Sequence, residues 1–209
     1  MRILYGTTNQ AKLDSMKRIT EVLGIEIIGL KDVNQPLPRI EESGKNPLEN
    51  AKMKAEAYYK AFSMPVFSCD SGLYFDNIEE ALQPGTHIRR VNGKELTDEE
   101  MIEYYSGLAK SHDDRLIGRY RNAIYFILDD ETKFFSMDKS LETEPFMLVS
   151  KPHEKRIKGF PLDSISVDLA SEKYYYDIEE KSVDQSAVLQ GFKAFFERCF
   201  QSLQKVHND

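Results

Sequence analysis

The chain has 209 residues and carries 28 Lys+Arg against 35 Asp+Glu, a formal net charge of −7. With 41% hydrophobic and 30% charged residues it has a globular balance, which excludes a disordered or fibrous chain. The acidic balance disfavours a nucleic-acid polymer as partner, because backbone binding needs surplus Lys and Arg. It leaves open a small phosphorylated ligand, which needs only a local cluster of donors and positive charge. Two cysteines, Cys69 and Cys199, are too few and too far apart for a disulfide framework or a four-sulfur zinc site, and read as reduced thiols. No segment approaches the ~20 apolar residues of a membrane helix. The start, MRILYGTTNQAK, is too briefly apolar for a signal peptide. The expectation is a cytoplasmic protein with no membrane partner.

In chain order, residues 2–6 read as a short buried strand ending at Gly6. Leu13, Met16, Ile19, Val22 and Leu23 then recur at helical spacing from about Gln10, with Gly24 as the stop. Residues 25–30 look like a second strand and 34–45 like an ordered loop. Asn46-Pro47-Leu48-Glu49 offers a cap, a proline at the first helical position and a carboxylate three residues after the cap, so a helix should run to about Phe62. Residues 66–69 predict a short strand delivering Asp70-Ser71-Gly72 into a turn. Thr97 with Glu100 is a second capping box, opening a helix through about Leu108. Residues 119–128 and 133–137 form a hairpin candidate; 145–150 and 164–169 are further strand candidates. An amphipathic helix closes the chain from about Ser186 to Leu203. Early alternation of strand and helix, with strands clustering later, predicts a mixed α/β sheet with one all-β or hairpin-rich lobe.

Three constellations carry candidate chemistry. Thr7, Asn9 and Lys12 sit where a strand gives way to a helix, a place where free backbone N–H groups and the helix dipole attract phosphate. Thr7 or Asn9 can equally be plain helix caps and Lys12 a solvated lysine. Glu41 and Glu42 lie in a loop followed by a helix bearing Asn50, Lys52 and Lys54. Such a pair either is simply solvated or gives a hard divalent cation one or two carboxylates, as Mg²⁺ prefers beside substrate phosphates. Asp70, at the end of a buried strand, needs a partner or a cation, which makes it the leading metal ligand or general base; Ser71 adds a hydroxyl and Gly72 allows close approach. The four histidines are scattered, and Tyr174, Tyr175 and Tyr176 read as packing or as a stacking surface.

Taken together, Thr-x-Asn-x-x-Lys, then EESG followed by P-L-E-N-A-x-x-K-A, then D-S-G-L near residue 70, resemble the inosine triphosphatase family, the noncanonical purine nucleoside triphosphate pyrophosphatases. The resemblance is dense over residues 1–75. Beyond it, Pro84-Gly85 with Arg90 resembles the family's P-G-x-x-S-A-R segment, and Lys158-Gly159-Phe160-Pro161-Leu162-Asp163 resembles its G-F-G-Y-D-P element. Lys181 stands where the family has a lysine shortly before Ser-His-Arg, but that triplet is missing: Asp184, Gln185 and Ser186 occupy its neighbourhood.

The resemblance implies an α/β fold with an elongated mixed sheet and flanking helices, residues 1–209 forming one domain of two lobes around a central cleft, and usually a homodimer. It implies Mg²⁺-dependent hydrolysis of ITP, dITP or XTP-type substrates to the monophosphate and pyrophosphate. Asp70 and Lys12 would be catalytic, and Glu41 and Asp70 would hold the metal. Thr7, Asn9, Lys12 and Lys52 would take the triphosphate, with Ser71 and Gly72 lining the site. Phe160, Asp163 and Lys181 would meet the base. The missing triplet puts base preference in question, which keeps two alternatives: a pyrophosphatase for other nucleotides, or a nucleotide-binding protein without turnover.

Overall fold

Strand β1 (Arg2–Tyr5) alternates its buried side chains between two layers: Ile3 and Tyr5 face one cluster and Leu4 the other. This two-residue period recurs in β2 (Glu26–Gly29), β3 (Val66–Phe75) and β6 (Leu116–Ile127), where Ile27, Phe67, Ile124 and Phe126 share the first cluster while Ile28, Val66, Ala123, Tyr125 and Ile127 share the second. The computed structural model describes residues 1–178 and 187–206. It divides into two units. The first comprises Met1–Ser71, Arg121–Glu142 and the C-terminal helix; the second comprises Gly72–Tyr120 and the described residues from Thr143 to 178. β3 and β6, neighbours in the sheet, each contribute residues to both units.

In the first unit β1 lies between β2 and β3 and is parallel to both, with Ile3 opposite Ile27 on one side and Tyr5 opposite Phe67 on the other. The chain moves from β1 through helix α1 (Gln10–Glu21) to β2, then back through α2 (Pro47–Phe62) to β3. Right-handed crossovers in opposite directions place the two helices on opposite faces. Accordingly Leu13, Met16 and Ile19 of α1 pack in the first cluster, and Ala51, Ala55 and Tyr58 of α2 in the second. The C-terminal helix α4 (Ala187–Val206) adds Phe192, Phe195 and Phe196 to the α1 face, with Phe196 edge-on to Phe67 at 5.1 Å. β7 (Lys133–Ser136) pairs antiparallel with β6, as the hairpin reading expects.

The second unit is built on β8 (Phe146–Leu148), which pairs antiparallel with the start of β6 and with β9 (Ser166–Asp168). A two-stranded ribbon, β4 (Arg90–Val91) with β5 (Lys94–Glu95), precedes α3 (Asp98–Lys110). The Thr97–Glu100 capping box opens α3 as its sequence predicts. This unit is not all-β: Met101, Ile102, Tyr105 and Ala109 of α3 pack with Leu116, Phe146 and Leu148.

One local expectation fails. β3 does not stop at Cys69 but runs on through Asp70-Ser71-Gly72 to Phe75. Gly72 is needed inside the strand because a Cβ there would stand 2.8 Å from the Tyr74 ring and 3.0 Å from the Gly85 carbonyl oxygen. Leu73 and Gly85 exchange backbone hydrogen bonds, so the pairing holds the segment extended where Asp-Ser-Gly alone favours a turn. In the tyrosine run 174–176, Tyr175 opens a 3-10 turn, Tyr175–Asp177.

Candidate functional site

Parallel strands with helices leaving in opposite directions create a crevice beyond their carboxyl ends, the usual ligand seat of such sheets. Here the reversal falls between β1 and β3. Gly6 follows β1 directly and donates to the Phe67 carbonyl at 2.8 Å, so the Gly6–Asn9 loop leaves β1 at the level where the adjacent β3 continues toward Asp70. A Cβ on Gly6 would lie 2.2 Å from Ser68 Oγ and 2.6 Å from the Tyr58 ring, so the close approach of loop and strand depends on glycine.

In that loop the Asn9 side chain caps α1, accepting from the Lys12 N–H at 3.1 Å, and Thr7 Oγ1 accepts from the Asn9 N–H at 3.2 Å. The capping alternative is therefore realised for Asn9. Lys12 is exposed, one turn into the helix. Its charge is felt at Cys69, whose thiol burial pushes up to about 12 while the Tyr5 hydroxyl, Lys12 and Lys54 pull it the other way.

Asp70 is the centre of the second constellation. Its side chain is 16% exposed, and each carboxylate oxygen has a donor: Lys54 Nζ at 2.8 Å on Oδ1 and Asn50 Nδ2 at 3.0 Å on Oδ2. Lys54 is itself 13% exposed in its side chain and also reaches Glu42 Oε2 at 3.1 Å. Burial lowers the Lys54 pKa, but the Asp70 and then the Glu42 carboxylates more than offset it, holding the ammonium above the ordinary lysine value. Asn50 is 2% exposed and has its orientation fixed: its Oδ1 accepts the buried Gly44 N–H at 2.7 Å, which turns the amide nitrogen toward Asp70. One buried amide thus ties the acidic loop to Asp70. Asn46 caps α2 with Pro47 at its first position, and Glu49 accepts from the Lys45 N–H at 2.8 Å. These contacts set the start of α2, so the helix presents Asn50 and Lys54, four apart, on one face.

Lys52 is not brought to this cluster. Two residues along a helix means a rotation of about 200°, and its ammonium, half exposed, lies 3.8 Å from Glu56 instead. Glu41 is exposed, with its backbone carbonyl accepting from the Ser43 N–H; the carboxylate that reaches the cluster is that of Glu42. Sequence reasoning named Asn50 and the Glu41–Glu42 pair but missed the contact of Lys54 with Asp70; the i,i+4 spacing of Asn50 and Lys54 was the available signal. Ser71 donates to Asn122 Oδ1 at 2.6 Å, and Asn122 donates in turn to the Leu141 carbonyl at 2.6 Å. No sequence pattern marked Asn122, which comes from β6, adjacent to β3 in the sheet but far along the chain.

Among the described residues no group of three or more His, Cys, Asp and Glu is placed to hold a metal by itself. The donors that exist, Asp70 and Glu42, are hard oxygen ligands and suit a cation completed by substrate phosphates. In the second unit Phe160 is 53% exposed and precedes a 3-10 turn, Pro161–Ile165, that carries Asp163. Burial raises the Asp163 carboxyl above the usual range. Lys181 and residues 184–186 lie outside the described residues. No helix among the described residues is long and apolar enough to cross a membrane.

Fold and site together define a mixed α/β protein with a lysine-bridged acidic cluster beside a helix N-terminus at a topological switch point. Residues 3–155 match the Ham1 family model, and the chain belongs to that family, the one its N-terminal motifs resemble. It is 34% identical over 132 residues to the dITP/XTP pyrophosphatase of Bacillus subtilis, covering 62% of this chain and 65% of that one. It is 34% identical over 102 residues to that of Oceanobacillus iheyensis, covering 49% and 51%. The chain thus spans about half to two thirds of these relatives' own length. A Leptospira interrogans dITP/XTP pyrophosphatase is 28% identical over 182 residues, 87% of each chain. The fold is that of the Staphylococcus aureus Ham1 protein, with a TM-score of 0.73, 24% identity and 94% and 98% coverage. A Coxiella burnetii HAM1 protein gives 0.73 at 22% identity, covering 95% and 99%.

Proposed function

We propose that this chain hydrolyses noncanonical purine nucleoside triphosphates of the ITP, dITP and XTP type to the monophosphate and pyrophosphate. The observation that carries the reading is the convergence of Lys54 and Asn50 on Asp70, with Glu42 on Lys54, inside the strand next to the one that leads into the Thr7–Lys12 loop. The names of the relatives, dITP/XTP pyrophosphatases, support the substrate class.

Thr7, Asn9 and Lys12 receive phosphate oxygens at the start of α1, where unpaired N–H groups and the dipole favour anions. Lys54 takes the neutralising place that the resemblance gives to a lysine of α2. Asp70, with a carboxylate of the Glu41–Glu42 pair, is the seat for Mg²⁺, which when bound polarises a phosphate oxygen. Asp70 also accepts the proton of the attacking water, its orientation held by Asn50. Ser71, held by Asn122, and Gly72 line the site. Phe160 and Asp163, with Lys181, meet the base. The whole chain acts as one two-lobed domain, as a cytoplasmic homodimer, with no nucleic-acid polymer as partner. Its acidity supports the last point.

Pyrophosphate release measured over a panel of triphosphates, with and without Mg²⁺, tests the reading: release from ITP or XTP that requires the cation is expected. Absence of release from every triphosphate would refute it and leave nucleotide binding without turnover. The absent Ser-His-Arg triplet favours one second reading, an altered base preference. An ITP-to-ATP rate ratio near one would support that reading over the first.

A further inference from the structure

We infer that Lys54 is a displaceable counter-ion that makes entry of a divalent cation at Asp70 conditional on a polyphosphate. The inference rests on the reading of Asp70 as the cation seat. Both oxygens of that carboxylate already have donors, Lys54 on one and Asn50 on the other. Each oxygen keeps a lone pair for a cation, but a dication there would repel the Lys54 ammonium, which lies 2.8 Å from Oδ1. Asn50 cannot yield easily, because its amide is 2% exposed and its other end holds the Gly44 N–H. Lys54 is the group that can move, being the end of a flexible stem.

Displacing Lys54 has a consequence that depends on what else is bound. Its side chain is 13% exposed, and besides Asp70 its ammonium contacts the more exposed Glu42. Two carboxylates and one ammonium carry one formal negative charge between them. A lone dication inverts that charge and drives a desolvated ammonium against it, with Lys12 close enough to act on the same strand. A polyphosphate arriving with the cation removes the conflict, since it supplies anionic oxygens to the ammonium that the cation displaces. Cation and polyphosphate then strengthen each other's binding by one and the same factor, as linkage requires.

The test uses the full chain, Mn²⁺ as a paramagnetic stand-in for Mg²⁺, and inorganic tripolyphosphate as the polyanion. Mn²⁺ alone, followed by the loss of its free electron paramagnetic resonance signal, should bind the wild type weakly and Lys54→Met at least ~10-fold more tightly. Lys54→Arg, which keeps the charge, should resemble the wild type. Calorimetry should show tripolyphosphate binding the wild type at least ~10-fold more tightly with Mn²⁺ than without it, and this gain should shrink in Lys54→Met. Equal affinity of wild type and Lys54→Met for Mn²⁺ alone would overturn the inference, as would no Mn²⁺ binding to Lys54→Met. The tripolyphosphate measurement on the wild type needs no variant: no gain from Mn²⁺ overturns the inference even if Lys54→Met does not fold. Pyrophosphate release from ITP separates the two proposals. Release with unchanged Mn²⁺ affinity in Lys54→Met removes the counter-ion alone. No release, with the Mn²⁺ site opened in Lys54→Met, removes the pyrophosphatase reading alone.

Discussion

Replacing Asn50 by Ala removes one side chain and two constraints at once. Gly44 loses the side-chain acceptor of its buried N–H, and taking the acceptor from a buried backbone donor costs about 1–3 kcal/mol. Asp70 loses one of its two donors, a bond to a charged acceptor contributing about 1.5 kcal/mol or more. The sum is about 3 kcal/mol, which for a chain of this length lowers the melting temperature by about 6–12 °C. Thermal unfolding followed by circular dichroism at neutral pH measures it. Asn50→Asp keeps the shape and sharpens the logic, because the substituted carboxylate could still accept from Gly44 but would point a second negative charge at Asp70. That like-charge pair raises a carboxyl pKa in the folded state above its unfolded value, so the folded variant holds more protons and loses stability as pH rises from about 4 toward 7. A fall in melting temperature below about 2 °C for Asn50→Ala would refute the bridging role, as would an Asn50→Asp deficit that does not shrink at low pH.

Asp70→Asn should cut pyrophosphate release by about 10²–10⁴-fold, the usual worth of a positioned acid–base group; release at full rate would remove Asp70 from the mechanism. Gly6→Ala should destabilise by about 1–3 kcal/mol in urea unfolding, because its Cβ meets Ser68 Oγ at 2.2 Å and Tyr58 at 2.6 Å. Adding Ser68→Ala should restore part of that loss, since among the described residues Ser68 Oγ is buried without a hydrogen-bond partner. Burial raises the Asp163 carboxyl in the folded chain, so the native state binds more protons than the unfolded one and stability falls as pH rises above about 4. Asp163→Asn should accordingly raise the melting temperature at pH 7 and lose this advantage near pH 3; a gain of equal size at both would contradict it.

Helix α2 illustrates what a single sequence discloses and what it does not. Its start was legible because capping is local: Asn46, Pro47 and Glu49 determine it within four residues. Which lysine meets Asp70 was not, because Lys52 and Lys54 have the same chemistry and differ only in which face of the helix meets β3. That face follows from burial of Ala51, Ala55 and Tyr58 against β1, β2 and β6, a tertiary fact. Asp70-Ser71-Gly72 went astray in the opposite direction: turn propensity is a local preference, and the pairing of Leu73 with Gly85 overrides it. Ser71 and Asn122 meet across 51 positions of sequence, a separation no spacing argument bridges.

An acidic chain can receive a polyanion if its cations are gathered where the anion lands, and the two lysines concerned are gathered by different means. Lys12 is placed by a helix start that Asn9 caps, so its position is tied to the positive end of the α1 dipole. Lys54 is placed by the carboxylates it neutralises, and its location is conditional on what occupies them. On the proposed reading the first arrangement would attract an anion with or without a metal, and the second would become available only when a cation takes over Asp70. A net charge of −7 then hinders binding at long range, where salt screens it, but leaves the local balance to these few groups. The acidic balance and a phosphate-binding loop are therefore compatible, and on the proposed reading the coupling between metal and phosphate would lie in the contact between Lys54 and Asp70.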